Sequence, residues 1–462
     1  MFESAQLPYR ITVADITSDK LPLPISIVSS IAEIILFEKL DQPFVTGKIL
    51  IQDDNNLMDG ISFRGTESLH LEIESTISSA TKPRIRKDFI INNIEQMNTE
   101  GERRRVYTLG LIEKHYYLNS LKQVSKSYTG TPIEIIESIC KDYLKKPFAA
   151  LLTTRSRPVQ ERMTVCIPYL KPLEAMGWIN DRATSFIGCP YFLHTSLYHD
   201  VMVMDDLHNL LTQPAMNVER PFSMNQQMFV IAPGVSPEEI QFYDNLGFQI
   251  GDINVKDYSN ALTMQELGGI GSGISNVDLN TGRMTQAHFS IREQLRRMYQ
   301  NNLLTKEQNV FDPLHVVRTP ADNTNGIVAE NLIPDELEGI SFDTVNSSNT
   351  YLDNDGYYDD NGIHKLRKRL ESLALKVAFQ KNMISAEIPG DVFFSTGAGT
   401  GQKITCNFQA ASFTPDADSI KDVNLSGDYI IYANRLIFNT NGISTDVMMS
   451  KYEADVPLSN VS

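Results

Sequence analysis

The stretch LSGDYIIYANRLIFNTNGISTDVMMSKY, residues 425–452, decides how the rest of the chain is read. Two apolar-rich runs flank the turn-forming NTNG, and the first opens on Ser426-Gly427-Asp428, the pattern of a long β-hairpin. A hairpin that merely closes a core alternates apolar and polar residues cleanly. Here tyrosines and a lone arginine, Arg435, are scattered through the strands, which predicts that both faces of the hairpin meet something.

The same reading extends across residues 1–118. In ESLHLEIES, Leu69, Leu71 and Ile73 alternate with His70, Glu72 and Glu74, the period-two pattern of a half-buried strand. YRITVADIT, ISIVSSIAEIILFEKL, FVTGKILIQD, RKDFIINNIE and RRVYTLGLIEKHYY read alike and are broken by DDNN and NTEGE. This predicts a β-barrel or sandwich.

The period then changes. TGTPIEIIESICKDYL places Thr131 as a helix N-cap, Pro132 in the first turn and Glu134 to complete a capping box, with Ile135, Ile136, Ile139 and Tyr143 on one stripe. A second helix follows Lys171 in PLEAMGWINDRATS, and CPYFLHTSLYHDVMVMDD reads as two strands. Residues 119–215 are thus an α+β module. From 216 to 257 the β pattern returns in QQMFVIAP and FQIGDINVKD, and it resumes after 363 with a helix, IHKLRKRLESLALKVAFQKN. SAEIPGDVFFSTG, QKITCNFQA and the opening hairpin then read as strands. Between them, 258–362 is a weakly patterned insertion with a short helix candidate at 290–300, partly flexible and acidic. The expected fold is therefore α+β, mainly β: two antiparallel β-barrel domains, the second discontinuous (216–257 and 363–462), with an α+β middle module. No residue-level repeat is visible.

With 462 residues, the length suggests about three domains. The formal charge of −16 argues against nucleic acid and anionic membranes as binding surfaces. Residues 319–364 alone carry ten acids and no lysine or arginine. Four scattered cysteines (Cys140, Cys166, Cys189, Cys406), with no CxxC, argue for a reduced compartment. No signal-peptide pattern or membrane-length apolar run is visible, so a soluble protein made inside a cell is expected.

Candidate chemistry is thin. Cys189, His194 and His199 stand five apart, an odd spacing that sends successive side chains of a strand to opposite faces, so packing is expected rather than a metal. DNDGYYDDNG at 353–362 lacks the terminal bidentate carboxylate of a calcium loop in either register and reads as a solvated acidic loop. GGIGSG at 268–273 has no GK[ST] after it and reads as a linker. KLRKR at 365–369 reads as a solvated helix face, with an anionic partner or the acidic loop as the other reading. No GxSxG or HExxH appears. No catalytic, cofactor-binding or metal-ligating residue is assigned.

Three stretches carry a family resemblance. LDQPFVTGKILIQDDNNLMDGISFRGTESLHLEIE (40–74) has a Pro before a strand, a Gly leading into an alternating strand that ends in Asp, then G-x-E before another strand. TGTPIEIIESICKDYL, PYLKPLEAMGWINDRATS and PYFLHTSLYHD form the second, and EIPGDVFFSTG with the opening hairpin the third. Together they resemble the baseplate hub proteins of contractile-tailed phages; 258–362 departs from that pattern. The resemblance implies two tail-tube-like barrels per chain and a homotrimer whose pseudo-sixfold ring adapts a sixfold tail tube to a threefold spike. It implies a central spike protein, tail-tube or tube-initiator proteins and wedge proteins as partners, and DNA passing through the lumen without specific binding or membrane insertion. It places the protein in the virion's tail baseplate after assembly in the host cytoplasm, with no enzymatic activity and no cofactor. An acidic lumen would let DNA slide.

Near alternatives are the hub of a phage-derived contractile injection particle and the tail-tip protein of a non-contractile phage. The absence of a β-helical repeat after residue 452 favours a separate spike protein. More distant are a tail-associated cell-wall hydrolase, for which 258–362 is a poor catalytic domain, and a carbohydrate-binding β module.

Overall fold

A computed structural model of the chain describes residues 7–77, 83–100, 104–151, 163–217, 221–224, 248–255, 266–267, 271–277, 284–290, 342–347, 351–353, 370–380, 383–408 and 425–451, except 55, 62, 182, 184–188 and 378. The expected strand QQMFVIAP, the helix candidate after 290, KLRKR and nearly all of the acidic stretch lie outside the described residues.

The first β unit comprises β1 (Tyr9–Thr17), β2 (Ile25–Ser26), β3 (Ile31–Lys39), β4 (Gln42–Asp53), β5 (Ser68–Ser75), β6 (Arg84–Glu100) and β7 (Arg104–Glu113), with the short helix α1 (Leu57–Ile61) after β4. Alternation drives it. On β4, Val45, Ile49 and Ile51 are buried while Thr46, Lys48 and Leu50 are only half-buried. The expected strand ending KHYY stops at Glu113 and turns into helix α2 (Lys114–Leu121).

The α+β module contains α3 (Pro132–Ile139), β8 (Ser127–Gly130), β9 (Phe148–Leu151), β10 (Met163–Cys166), α4 (Pro172–Asn180), β11 (Tyr191–Thr195), β12 (Met202–Asp206) and α5 (Leu207–Thr212). The expected capping box is present: Thr131 Oγ1 accepts from Glu134 N, and Glu134 Oε2 accepts from Thr131 N. Ile135, Ile136 and Ile139 pack with Met176, Ile179, Tyr191 and Phe192 in a core that also takes in Leu40, Ile430 and Tyr432 of the β units. Leu370, Ala374 and Leu375 of helix α6 (370–377) join them.

The second β unit is discontinuous, as expected. β13 (Phe222–Ser223) and β14 (Ile253–Val255) precede the insertion; β19 (Met383–Pro389), helix α7 (Gly390–Thr396), β20 (Lys403–Asn407), β21 (Gly427–Asn439) and β22 (Gly442–Lys451) follow it. Its pairings close on themselves through β21, β22, β19, β14, β13 and β20, the link between the β14 segment and β13 being the bridge Gln249–Ser223.

Two further expectations are corrected. GDVFFST, read as strand, is helix α7: Pro389 ends the ladder, and Gly390 packs so closely on β22 that an added Cβ would lie 2.5 Å from Ile443 O. GSG of the supposed linker opens strand β15 (Gly271–Val277), flanked by β16 (Met284–Ser290) and β17 (Phe342–Ser347), while β18 (Tyr351–Asp353) adds to β10 of the α+β module. The glycines suit a strand because Ser272 beside them is fully buried.

The two β units are one sheet. β21 pairs antiparallel with β3 from Ala433↔Lys39 to Asn439↔Glu33, giving the run β14-β19-β22-β21-β3-β4-β7-β6. Their cores are likewise continuous: Leu36, Leu436, Phe438, Phe393 and Phe89 belong to one cluster. Tyr9 bridges the units, its ring 5.1 Å from that of Phe438 and its hydroxyl donating to Asn439 O at 2.9 Å.

The units also repeat one plan. Numbered by chain position, β3, β4, β6 and β7 lie in the order first-second-fourth-third, and so do β14, β19, β21 and β22. In each unit a short helix (α1, α7) follows the second of these strands, and an additional strand (β5, β20) pairs with the third. One hydrogen bond recurs: Ile91 N donates to Glu67 O at 2.8 Å, and Ile431 N to Gln402 O at 2.9 Å. Each donor lies just past the residues paired with the additional strand, where the main ladder is bulged, between Ile91 and Asn93 and between Ile431 and Ala433. The plans differ in the outermost pair, antiparallel for β1–β5 and parallel for β13–β20.

Candidate functional site

Three regions concentrate polar chemistry. The first is the sheet face opposite the core, which explains the mixed hairpin. Tyr429, Ile431, Leu436, Phe438, Val447 and Met449 are buried, whereas Arg435, Ile437 and Asp446 face the other side, where Ala433 and Met448 pack against the core of the α+β module. There Arg435 pairs across the hairpin with Asp446 at 3.1 Å and stacks 6.0 Å from the ring centre of Phe37. Lys48 pairs with Glu95 at 2.7 Å, and Lys39 with Asp41 at 3.0 Å. Tyr432 donates its hydroxyl to Asp41 at 2.7 Å, and Gln380 Nε2 donates to that hydroxyl at 2.9 Å. Burial raises the Tyr432 hydroxyl's pKa, and Asp41 adds to the effect. Each of these cations has a carboxylate partner, so this patch is mixed and largely self-neutralised rather than simply acidic.

The second region is the seam. Glu38 on β3 is buried and accepts from Leu197 N at 2.7 Å, Thr400 N at 2.8 Å and Asn434 Nδ2 at 3.3 Å. Burial raises its pKa, and these donors pull the other way. One carboxylate thereby ties the first β unit to the α+β module through Leu197 and to the second unit through Thr400 and Asn434. Close to Gly401, His194 on β11 is buried and, among the described residues, has no hydrogen-bond partner at either ring nitrogen; burial lowers its pKa to about 4.

The third region joins the first β unit to the α+β module. Lys87, Lys146 and Glu113 are buried, with Asp200 at the rim. Lys146 Nζ donates to Glu113 Oε1 and lies 3.6 Å from Asp200; Lys87 Nζ lies 3.8 Å from Glu113 and 3.9 Å from Asp200, and donates to His199 O at 2.9 Å. Glu113 Oε2 accepts from Val45 N at 3.0 Å. His115 Nε2 lies 3.7 Å from Asp200, and its Nδ1 is 2.8 Å from Leu144 O. The His115 hydrogen bond, with the two ammonium groups, holds Asp200 well below the usual carboxylate range. Desolvation lowers the Lys87 pKa.

Glu113, His115 and Asp200 offer converging ligand atoms. Two lysine ammonium groups already occupy the carboxylates, so the donor set suits an ion-pair lock better than a metal. Of the three residues first weighed as ligands, Cys189 and His194 are buried, while His199 enters the lock through its carbonyl oxygen. Sequence spacing missed the lock because its members come from β6, β7, α2, the segment after α3 and the β11–β12 loop. Their only individual signal is charge in otherwise alternating strands.

No family model and no curated protein matches the chain. Among solved structures, it is similar to a tail protein from Neisseria meningitidis MC58 (9% identity, 96% of each chain covered, TM-score 0.49). It is similar to the 43 kDa tail protein of prophage MuSo2 from Shewanella oneidensis (8% identity, 95% of this chain and 98% of that chain, TM-score 0.47). It is also similar to an E. coli component of the type VI secretion system described as resembling T4 bacteriophage tail proteins (9% identity, 97% of this chain and 79% of that chain, TM-score 0.42).

Proposed function

We propose that the chain is a structural, non-enzymatic component of a phage tail, the central baseplate hub, working as a homotrimer between the tail tube and a spike. The observation that supports this most is the repeated plan: one chain carries two β units of the same strand order in one continuous sheet. Three such chains present six similar units with threefold symmetry, the shape an adaptor between sixfold and threefold partners requires. The three polar regions fit such a role. Two are buried ties that fix the β units and the α+β module to each other, and the third is a self-neutralised face. In this reading, that face lines the lumen through which DNA passes without specific contact, and wedge proteins meet the outside.

Native mass spectrometry of the purified chain tests it. The expected species weighs three times the 52.0 kDa chain and appears as an open ring in class averages. A monomer at every concentration, also with the spike protein present, would refute the reading.

A further inference from the structure

We propose that the outer half of β6, residues 93–100, is a docking edge for β14 of a second copy of this chain. This rests on the assembly reading above and assigns its contact.

The internal repeat supplies the argument. β21 does two things in succession: Gly427–Ile430 pair with β20 of its own unit, and after the bulge at 431–433 the remainder, Ala433–Asn439, pairs with β3 of the other unit. β6 begins in the same way. Arg84–Ile90 pair with β5, and the ladder is bulged between Ile91 and Asn93. Residues 93–100 then have β7 on one side and, among the described residues, no strand on the other. In strand order this is the half of β21 that forms the seam, with its counterpart missing; unlike β21 it carries a second bulge, between Glu95 and Asn98.

The counterpart of β3 in the second unit is β14. It ends the sheet, pairing only with β19 among the described strands. Both edges belong to one eight-strand run whose neighbours are all antiparallel. With an even number of strands, β14 of a following copy meets β6 antiparallel, the same sense as β21 meets β3. Within one chain the two edges do not pair with each other: β14 pairs with β19, and residues 93–100 of β6 with β7. The contact is therefore head-to-tail between copies, the kind that closes into a ring. Met97 is 56% exposed on the β6 edge, where an uncovered edge strand is otherwise an aggregation hazard.

Pairwise cysteine cross-linking tests the assignment. In a Cys166→Ser background, which removes the one exposed cysteine among the four, single variants Gln96→Cys, Asn98→Cys and Asn254→Cys are treated with a short bis-maleimide. Either β6 variant mixed with Asn254→Cys is expected to give a covalent dimer containing one chain of each. Each variant alone should give none. The double variant Asn98→Cys/Asn254→Cys should give a closed covalent trimer. A trimer by native mass spectrometry with no mixed cross-link at either β6 position would overturn the edge assignment and leave the hub reading intact. Absence of any oligomer would overturn both.

Discussion

Glu38 and Asn434 face each other across the seam between the two β units, side-chain oxygen to side-chain nitrogen at 3.3 Å, in register on β3 and β21. All the partners of Glu38 are donors, two of them backbone N–H groups from outside the first unit. Glu38→Ala should leave those donors buried without an acceptor and cost about 3 kcal/mol. Thermal unfolding with and without the substitution measures this; an unchanged midpoint would show that the seam does not depend on Glu38.

Lys146 in the lock has no exposed side-chain surface, so its charge is compensated only by Glu113 and Asp200. Lys146→Met should leave Glu113 with only the longer 3.8 Å contact to Lys87 as its counter-charge and destabilise the chain by about 3 kcal/mol. Lys146→Met combined with Glu113→Met should recover much of the loss, because the double change removes two desolvated charges together. Denaturant unfolding of the singles and the double, read as a double-mutant cycle, checks the coupling.

His194 should make the fold acid-sensitive. Its pKa is about 4 in the folded protein, against about 6.5 in an unfolded chain, so the unfolded state binds the extra proton. Stability is therefore full above about pH 6.5, falls as pH drops through that value, and has lost about 3 kcal/mol once pH is below about 4. His194→Leu should flatten this part of the stability–pH curve. Asp200 acts over a lower window: its depressed pKa stabilises the fold above the ordinary aspartate range and is lost as pH falls through that range and below it. Asp200→Asn should remove that acid limb.

The two short helices give a paired prediction. Gly60 in α1 has nothing within 4 Å of the Cβ that alanine would add, whereas at Gly390 in α7 that atom meets Ile443 O and Cγ2 at 2.5 Å. Gly60→Ala should be neutral or stabilising by about 0.5–1 kcal/mol, and Gly390→Ala clearly destabilising. Unfolding midpoints of the two variants measure the contrast.

Much of the fold was legible because local signals are strong where alternation and caps agree. ESLHLEIES is β5, and the Thr131–Glu134 capping box opens α3. GDVFFST was misread because two adjacent phenylalanines, Phe393 and Phe394, look strand-like. Both are buried on a two-turn helix that begins where Pro389 ends the strand. The polar regions were not legible: Glu38, Lys87 and Lys146 look like surface charges until distant strands bring their partners. Nor was the repeat, which lives in strand order and one recurrent backbone hydrogen bond, neither of which leaves a residue signature.

Two like units in one sheet, with an uncovered strand edge at each end among the described residues, should continue into further copies. The most direct measurement is the native mass of the full chain at micromolar concentration. The expected species weighs three times the 52.0 kDa chain and is a ring held by the β6 and β14 edges. A monomer that persists at all concentrations and in the presence of the spike would contradict it.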